Sequence, residues 1–168
     1  MEARSLAILL LGFTLVLAGC ATQTQALRSG DSPGNITGKA YRLEPAYLVT
    51  VHVPNANVDK VLAAVVAAVG LDYGKYDQVA YLDAPGLEQF RPLAGSKAGE
   101  QPAAGREPTT NVSFSVPQDS GILKKALDAI YATHSYEEPV IYVRGVWRTR
   151  STNPDNANPN RWWNPTKQ

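Results

Sequence analysis

Residues 47–53, Tyr47-Leu48-Val49-Thr50-Val51-His52-Val53, alternate in the manner of a strand, and the residues that follow change to a helical rhythm. Tyr47, Val49, Val51 and Val53 share one face while Leu48, Thr50 and His52 share the other, the period of two of a half-buried strand. Pro54 closes it. Asn55 or Asn57 can cap the next element, in which Val58, Val61, Leu62, Val65, Val66 and Val69 recur at helical spacing before Gly70.

The same unit returns further along. Gln78 to Leu82 is a short apolar strand, and Asp83 to Pro108, punctuated by Gly, Pro and Ala, reads as mainly loop with room for a small hairpin around Phe90. Val112, Phe114 and Val116 alternate with Ser113 and Ser115 as a third strand. After Pro117, Asp119 or Ser120 can cap a second helix with the stripe Ile122, Leu123, Ala126, Leu127 and Ile130, ending near His134. Val140 to Trp147 is the last strand. The order β-α-β-β-α-β predicts an α+β fold, a ferredoxin-like split β-α-β sandwich over residues 46–147 with antiparallel strand order 4-1-3-2. An α/β sheet of other connectivity is the rival, weakened by there being only two strand-joining helices.

Upstream, Arg4, the apolar run Leu6 to Leu17 and the small residues after it have the three parts of an export signal. The run is shorter than the roughly 20 residues that span a bilayer. Leu17-Ala18-Gly19-Cys20 matches the lipobox of bacterial lipoprotein precursors. The match implies a lipoprotein signal peptide over 1–19 and a mature N-terminus at Cys20, whose thiol carries a thioether-linked diacylglyceryl group beside palmitate-type chains that anchor it in the membrane. Ala21 in place of Asp implies, in a Gram-negative host, the outer membrane facing the periplasm. Residues 20–45, rich in Thr, Gln, Ser, Gly and Pro, read as a flexible tether, and residues 148–168, rich in Asn, Pro and Arg, as a poorly ordered tail.

Composition narrows the chemistry. A net charge of +1 on 168 residues does not resemble a nucleic-acid-binding surface. Cys20 is the only cysteine, so its lipidation would leave no thiol for disulfides, thiolate metal sites or nucleophilic catalysis. No Gly-rich phosphate loop is present. No serine stands in a recognisable nucleophile setting, and a Ser-His-Asp enzyme is a distant reading.

Three spaced motifs, Tyr76-Asp77, Phe90-Arg91-Pro92-Leu93-Ala94-Gly95-Ser96 and His134-Ser135-Tyr136-Glu137-Glu138-Pro139, lie within the expected domain. Together they resemble the insert domain of the NIF-three family, which also exists alone as a domain similar to the CutA and PII proteins. The resemblance covers about Tyr47 to Val146 and implies a ferredoxin-like fold and a tendency to form trimers. Ser135 stands where the family usually has proline, and Asn111 to Phe114 lacks the charged residues usual in that strand. The metal-hydrolase-like flanking domains of the full-length family proteins have no counterpart here, so no enzymatic role is inherited.

Several residues are candidates for a site. The order 4-1-3-2 brings His52 to the edge that holds His134, Glu137 and Glu138, a donor set suited to Zn²⁺ or Cu²⁺. The alternatives are that His134 serves the helix C-terminus, Tyr136 packs and the glutamates face water or pair with Arg residues, or that Tyr136, Glu137 and Glu138 form a trimer interface. Phe90 and Arg91 could shape a ligand cleft with Arg91 aimed at an anion, or Phe90 and Leu93 could tuck the loop onto the core and leave Arg91 solvated. Trp162 and Trp163 could enter a membrane interface, dock on an envelope protein or fold back on the sheet. The expectation is a non-enzymatic envelope lipoprotein with a small-ligand or metal-binding sensory domain that forms a homotrimer. The alternative is a structural or adaptor lipoprotein that binds another envelope protein.

Overall fold

A computed structural model describes residues 36–152 and 160–161. Cys20, Trp162, Trp163, the signal segment and the first part of the tether lie outside them. The elements are β1 (Tyr41–Pro54), a single 3-10 turn (Asn55–Asn57), α1 (Val58–Val69), β2 (Ala80–Leu82), β3 (Gly86–Phe90), β4 (Gly105–Pro117), α2 (Ser120–Thr133) and β5 (Ile141–Ser151). The strands form one antiparallel sheet in the order β2-β4-β1-β5, with β3 also paired to β4. This is the expected ferredoxin-like α+β arrangement with one more strand.

The valine alternation decides which face is buried. Val49, Val51 and Val53 of β1 stand opposite Phe114, Val112 and Thr110 of β4, and α1 and α2 cover that face with Val58, Val61, Val65, Ala126 and Ile130. Each of these apolar residues is at most 7% exposed, and burial of each valine or larger side chain contributes about 1.5–3 kcal/mol. Asp119 caps α2, its Oδ1 accepting from the Ile122 N–H at 2.8 Å. Gly70 ends α1 with φ +75° and donates its N–H to the Val66 carbonyl at 2.8 Å, a left-handed turn that suits glycine.

The expected asparagine caps are not formed. Asn57 instead donates its side-chain amide to the Thr133 carbonyl at 3.0 Å, tying the start of α1 to the end of α2, and Asn55 Oδ1 accepts from the Thr110 hydroxyl at 2.8 Å. Asp83 to Pro108 also holds more strand than expected, because β3 continues the edge begun by β2. Between them, residues 83–85 stand opposite only two residues of β4, Thr110 and Asn111. Pro85, which has no N–H to donate, lies in this buckle.

Strands β1 and β5 outrun the expected limits of 46 and 147. Their pairing continues through Pro45 opposite Trp147, Glu44 opposite Arg148 and Arg42 opposite Arg150 to Tyr41 opposite Ser151. Apolar alternation is missing there because charge holds the strands. Arg148 is 7% exposed. Its Nε donates to Glu44 Oε1 at 2.8 Å, and its Nη1 reaches across to the Ser115 carbonyl and hydroxyl, each at 3.1 Å. Arg150 Nε joins the same Glu44 oxygen at 2.5 Å, and both guanidinium groups lie over the Tyr73 ring, at 5.6 and 4.9 Å.

Burial of Glu44 works to raise its pKa, but hydrogen bonds from Arg150 and Arg148, with their charges, outweigh it and hold the carboxyl below its ordinary value of 4.5. A lowered carboxylate pKa gives stability that is present above the ordinary value and lost as the pH falls through the folded one. Urea unfolding from pH 7 to pH 3 should therefore show a loss of stability below about pH 4.5 that is smaller in Glu44→Gln. Arg148→Met should cost about 2 kcal/mol at pH 7, by leaving Ser115 and part of Glu44 unpaired.

Candidate ligand-binding cleft

His52 lies two residues before the end of β1, on the sheet face away from the helices. Its backbone is held on both sides, with its N–H donating to the Val140 carbonyl at 3.0 Å and its own carbonyl accepting from His134 Nε2 at 2.8 Å. The other ring nitrogen of His134, Nδ1, accepts the Tyr136 N–H at 3.0 Å. One backbone acceptor and one backbone donor thus assign His134 as the Nε2–H tautomer. The His134 N–H also bonds the Ile130 carbonyl at 2.8 Å, closing α2.

The His52 side chain meets a partner that the sequence reading did not include. Its Nδ1 is 3.0 Å from Glu88 Oε1, with the two side chains 27% and 14% exposed. Tyr142 on β5 leans against the imidazole with ring centroids 5.7 Å apart, and Asn111, opposite His52 in register, donates to Asp83 Oδ2 at 3.0 Å. Among the described residues no hydrogen bond uses His52 Nε2. Glu88 fixes one nitrogen of the ring and leaves the other available.

Behind Glu88 sits Tyr136, its ring edge-on to Phe90 at 5.3 Å and to His134 at 5.1 Å. The Tyr136 hydroxyl and Glu88 Oε2 are both buried without a hydrogen bond. Burial pushes the Tyr136 pKa above 10, and the charges of Glu88 and Glu107 push it the same way.

A cleft of about 500 Å³ opens here, walled by His52, Glu88, Thr109, Asn111, Val140 and Tyr142. Ala84 and Gly86, at the buckle between β2 and β3, line it too, and a Cβ on Gly86 would have only the Thr109 carbonyl within 4 Å, at 3.9 Å. Polar groups at fixed positions beside Leu87 and Tyr142 suit a small ligand with both polar and apolar parts.

The expected metal set is not assembled. His134 spends both ring nitrogens on backbone groups, Glu137 Oε2 takes the Lys97 N–H at 3.0 Å, and Glu138 is exposed. Among the described residues no group of three or more His, Cys, Asp or Glu is placed to hold an ion. Arg91 is exposed and its Nη1 reaches the Gln101 carbonyl at 3.4 Å, across the base of its own loop. Leu93, expected to tuck inward, is 58% exposed, and Phe90 packs on Tyr136 instead of the main core.

No protein-family model matches the chain, and no curated protein does. Solved structures do. A Bacillus cereus protein related to NIF3 superposes with a TM-score of 0.52 and 22% identity, over 62% of this chain and 26% of that one. CutA from Synechococcus elongatus gives 0.43 and 19%, over 71% and 87% of the two chains. The Bacillus subtilis GlnK-ATP complex gives 0.42 and 10%, over 61% and 82%. The chain thus spans about a quarter of the length of the Bacillus cereus protein, and the likeness to it is one of fold.

His134→Ala removes a ring that satisfies two backbone groups, and should lower stability by about 1–3 kcal/mol. Thermal melts with EDTA and with added Zn²⁺ should show the same loss, whereas a metal-holding role would make the loss larger with Zn²⁺.

Proposed function

We propose that this chain is a lipid-anchored protein of the bacterial envelope whose domain binds a small ligand in the His52 cleft, without catalysing a reaction on it. The observation that carries the binding reading is the His52–Glu88 pair. A carboxylate holds the imidazole in place at the wall of an open cleft and leaves Nε2 with no partner among the described residues. A preset polar group beside apolar walls lowers the ordering cost of binding. Nucleophilic catalysis by a hydroxyl has no support there, because no serine or threonine hydroxyl among the described residues hydrogen-bonds to that nitrogen. Anchoring rests on the Leu17-Ala18-Gly19-Cys20 match and on the apolar run before it.

The domain self-associates, as a trimer in the form that the resemblance implies. What supports this is an edge unsuited to water. Strands β2 and β3 pair only with β4, and along them and the loop beyond Tyr81, Leu82, Leu87, Phe90 and Leu93 are exposed, Tyr81 by 68% and Leu87 by 65%. Open edges lined by large apolar side chains pair with other chains unless they are covered.

Ligand-observed NMR with a fragment set of nucleosides, aromatic amides and short carboxylic acids should give binders that His52→Ala weakens at least about tenfold, as expected for loss of a hydrogen bond of about 1.4 kcal/mol. Binders indifferent to His52→Ala, or none, would remove the cleft reading. Sedimentation equilibrium should show a multimer that Leu87→Glu converts to monomer, and a monomeric wild type would end the self-association reading. Intact mass of the protein from its membrane should carry acyl chains that Cys20→Ser abolishes.

A further inference from the structure

The chain enters and leaves the domain at one end. Near its start the Leu43 N–H bonds the Ile36 carbonyl at 3.3 Å and the Gly38 N–H bonds the Tyr41 carbonyl at 2.7 Å. The departing chain is laced to the same turn, with the Thr152 N–H on the Ala40 carbonyl at 3.0 Å and the Thr152 hydroxyl on the Lys39 carbonyl at 3.2 Å. Among the described residues that end carries more positive than negative charge. Arg42, Arg148 and Arg150 converge on the single carboxylate of Glu44, at 3.8, 2.8 and 2.5 Å. Three guanidinium groups on one carboxylate leave two positive charges over, and Lys39 beside them is exposed. Arg150 Nη2 also reaches the Asp72 carbonyl at 3.4 Å, but the carboxylate of Asp72 is turned back to within 3.4 Å of where a Cβ on Gly70 would stand.

We propose that this end of the domain rests on an anionic phospholipid surface, with Lys39 and Arg42 as its exposed contacts. The proposal rests on the reading of Cys20 as the lipid anchor. The segment from Cys20 to Ile36 spans at most about 55 Å when fully extended, so an anchored domain stays close to the bilayer and its contact with head groups is effectively intramolecular. A surplus of positive charge at the point where the tether joins then selects which side of the domain faces the lipid. Each basic side chain near such a surface is drawn to it, over a range of about 8 Å at physiological salt. Arg148 and Arg150 take little direct part, being turned to Glu44 and Tyr73. Their charges bias the field from behind.

The test uses the acylated full chain in vesicles of phosphatidylcholine, with or without one part in about three of phosphatidylglycerol. Lysines are acetylated briefly with an activated ester, and the extent at Lys39 is compared by mass spectrometry with that at Lys60, which lies near the start of α1 at the opposite end of β1. The Lys39 to Lys60 ratio should fall about threefold on the anionic vesicles only, and recover at about 0.5 M salt. Arg42→Glu should abolish the fall. An equal ratio on both vesicles, or a fall that survives both salt and Arg42→Glu, overturns the proposal. Protein that carries no acyl chains fails the anchor reading instead, whereas acylated protein with an unchanged ratio fails this one alone.

Discussion

The central strand β1 has β4 beside it from Ala46 to Pro54 and β5 from Tyr41 to Val51, so that its middle, Ala46 to Val51, is paired on both sides. Double pairing leaves it no freedom of register. A slip of one residue would send Val49, Val51 and Val53 to the outer face and bring His52, Thr50 and Leu48 against the helices. The core would lose its three best-buried β1 valines and gain polar groups without partners. The same constraint places Glu44 opposite Arg148 and His52 opposite Asn111, so the charge cluster and the cleft both depend on one register.

The elements governed by apolar period were legible in the sequence, and those governed by specific polar contacts were not. The valine stripe of α1 and the alternation at Val112, Phe114 and Val116 locate a helix and a strand because burial itself sets their spacing. Glu44 and Arg148 lie 104 residues apart, and neither looks like strand core, so the first residues of β1 and the last of β5 had no local signal. Strand β3 was legible only as room for a small hairpin around Phe90, for a related reason. Gly86-Leu87-Glu88-Gln89-Phe90 is an edge strand over which no helix packs, and an exposed edge need not alternate.

In the site, His52 and His134 were placed near each other, and they do meet. They meet where the His134 ring reaches the His52 carbonyl, not ring to ring. Which nitrogen of a histidine faces which neighbour depends on the turn after α2, where Tyr136 supplies a backbone donor to one side of the His134 ring. Sequence spacing does not encode that geometry. Glu88, the true partner of His52, sits 36 residues away in a segment read as mainly loop with room for a small hairpin around Phe90, and nothing in its spacing marks the acid as facing the imidazole.

The hydrogen bonds that join Thr152 to Ala40 and Lys39 bring the two ends of the unit within one bond of each other. A unit built this way can be spliced into a host chain between neighbouring residues of a surface turn without prying them apart. Its helices and buried valines would be unchanged by the transplant, since β1 and β5 meet the seam only at Tyr41 and Ser151. The domain is a cassette, as able to sit on a lipid tether as inside a longer polypeptide.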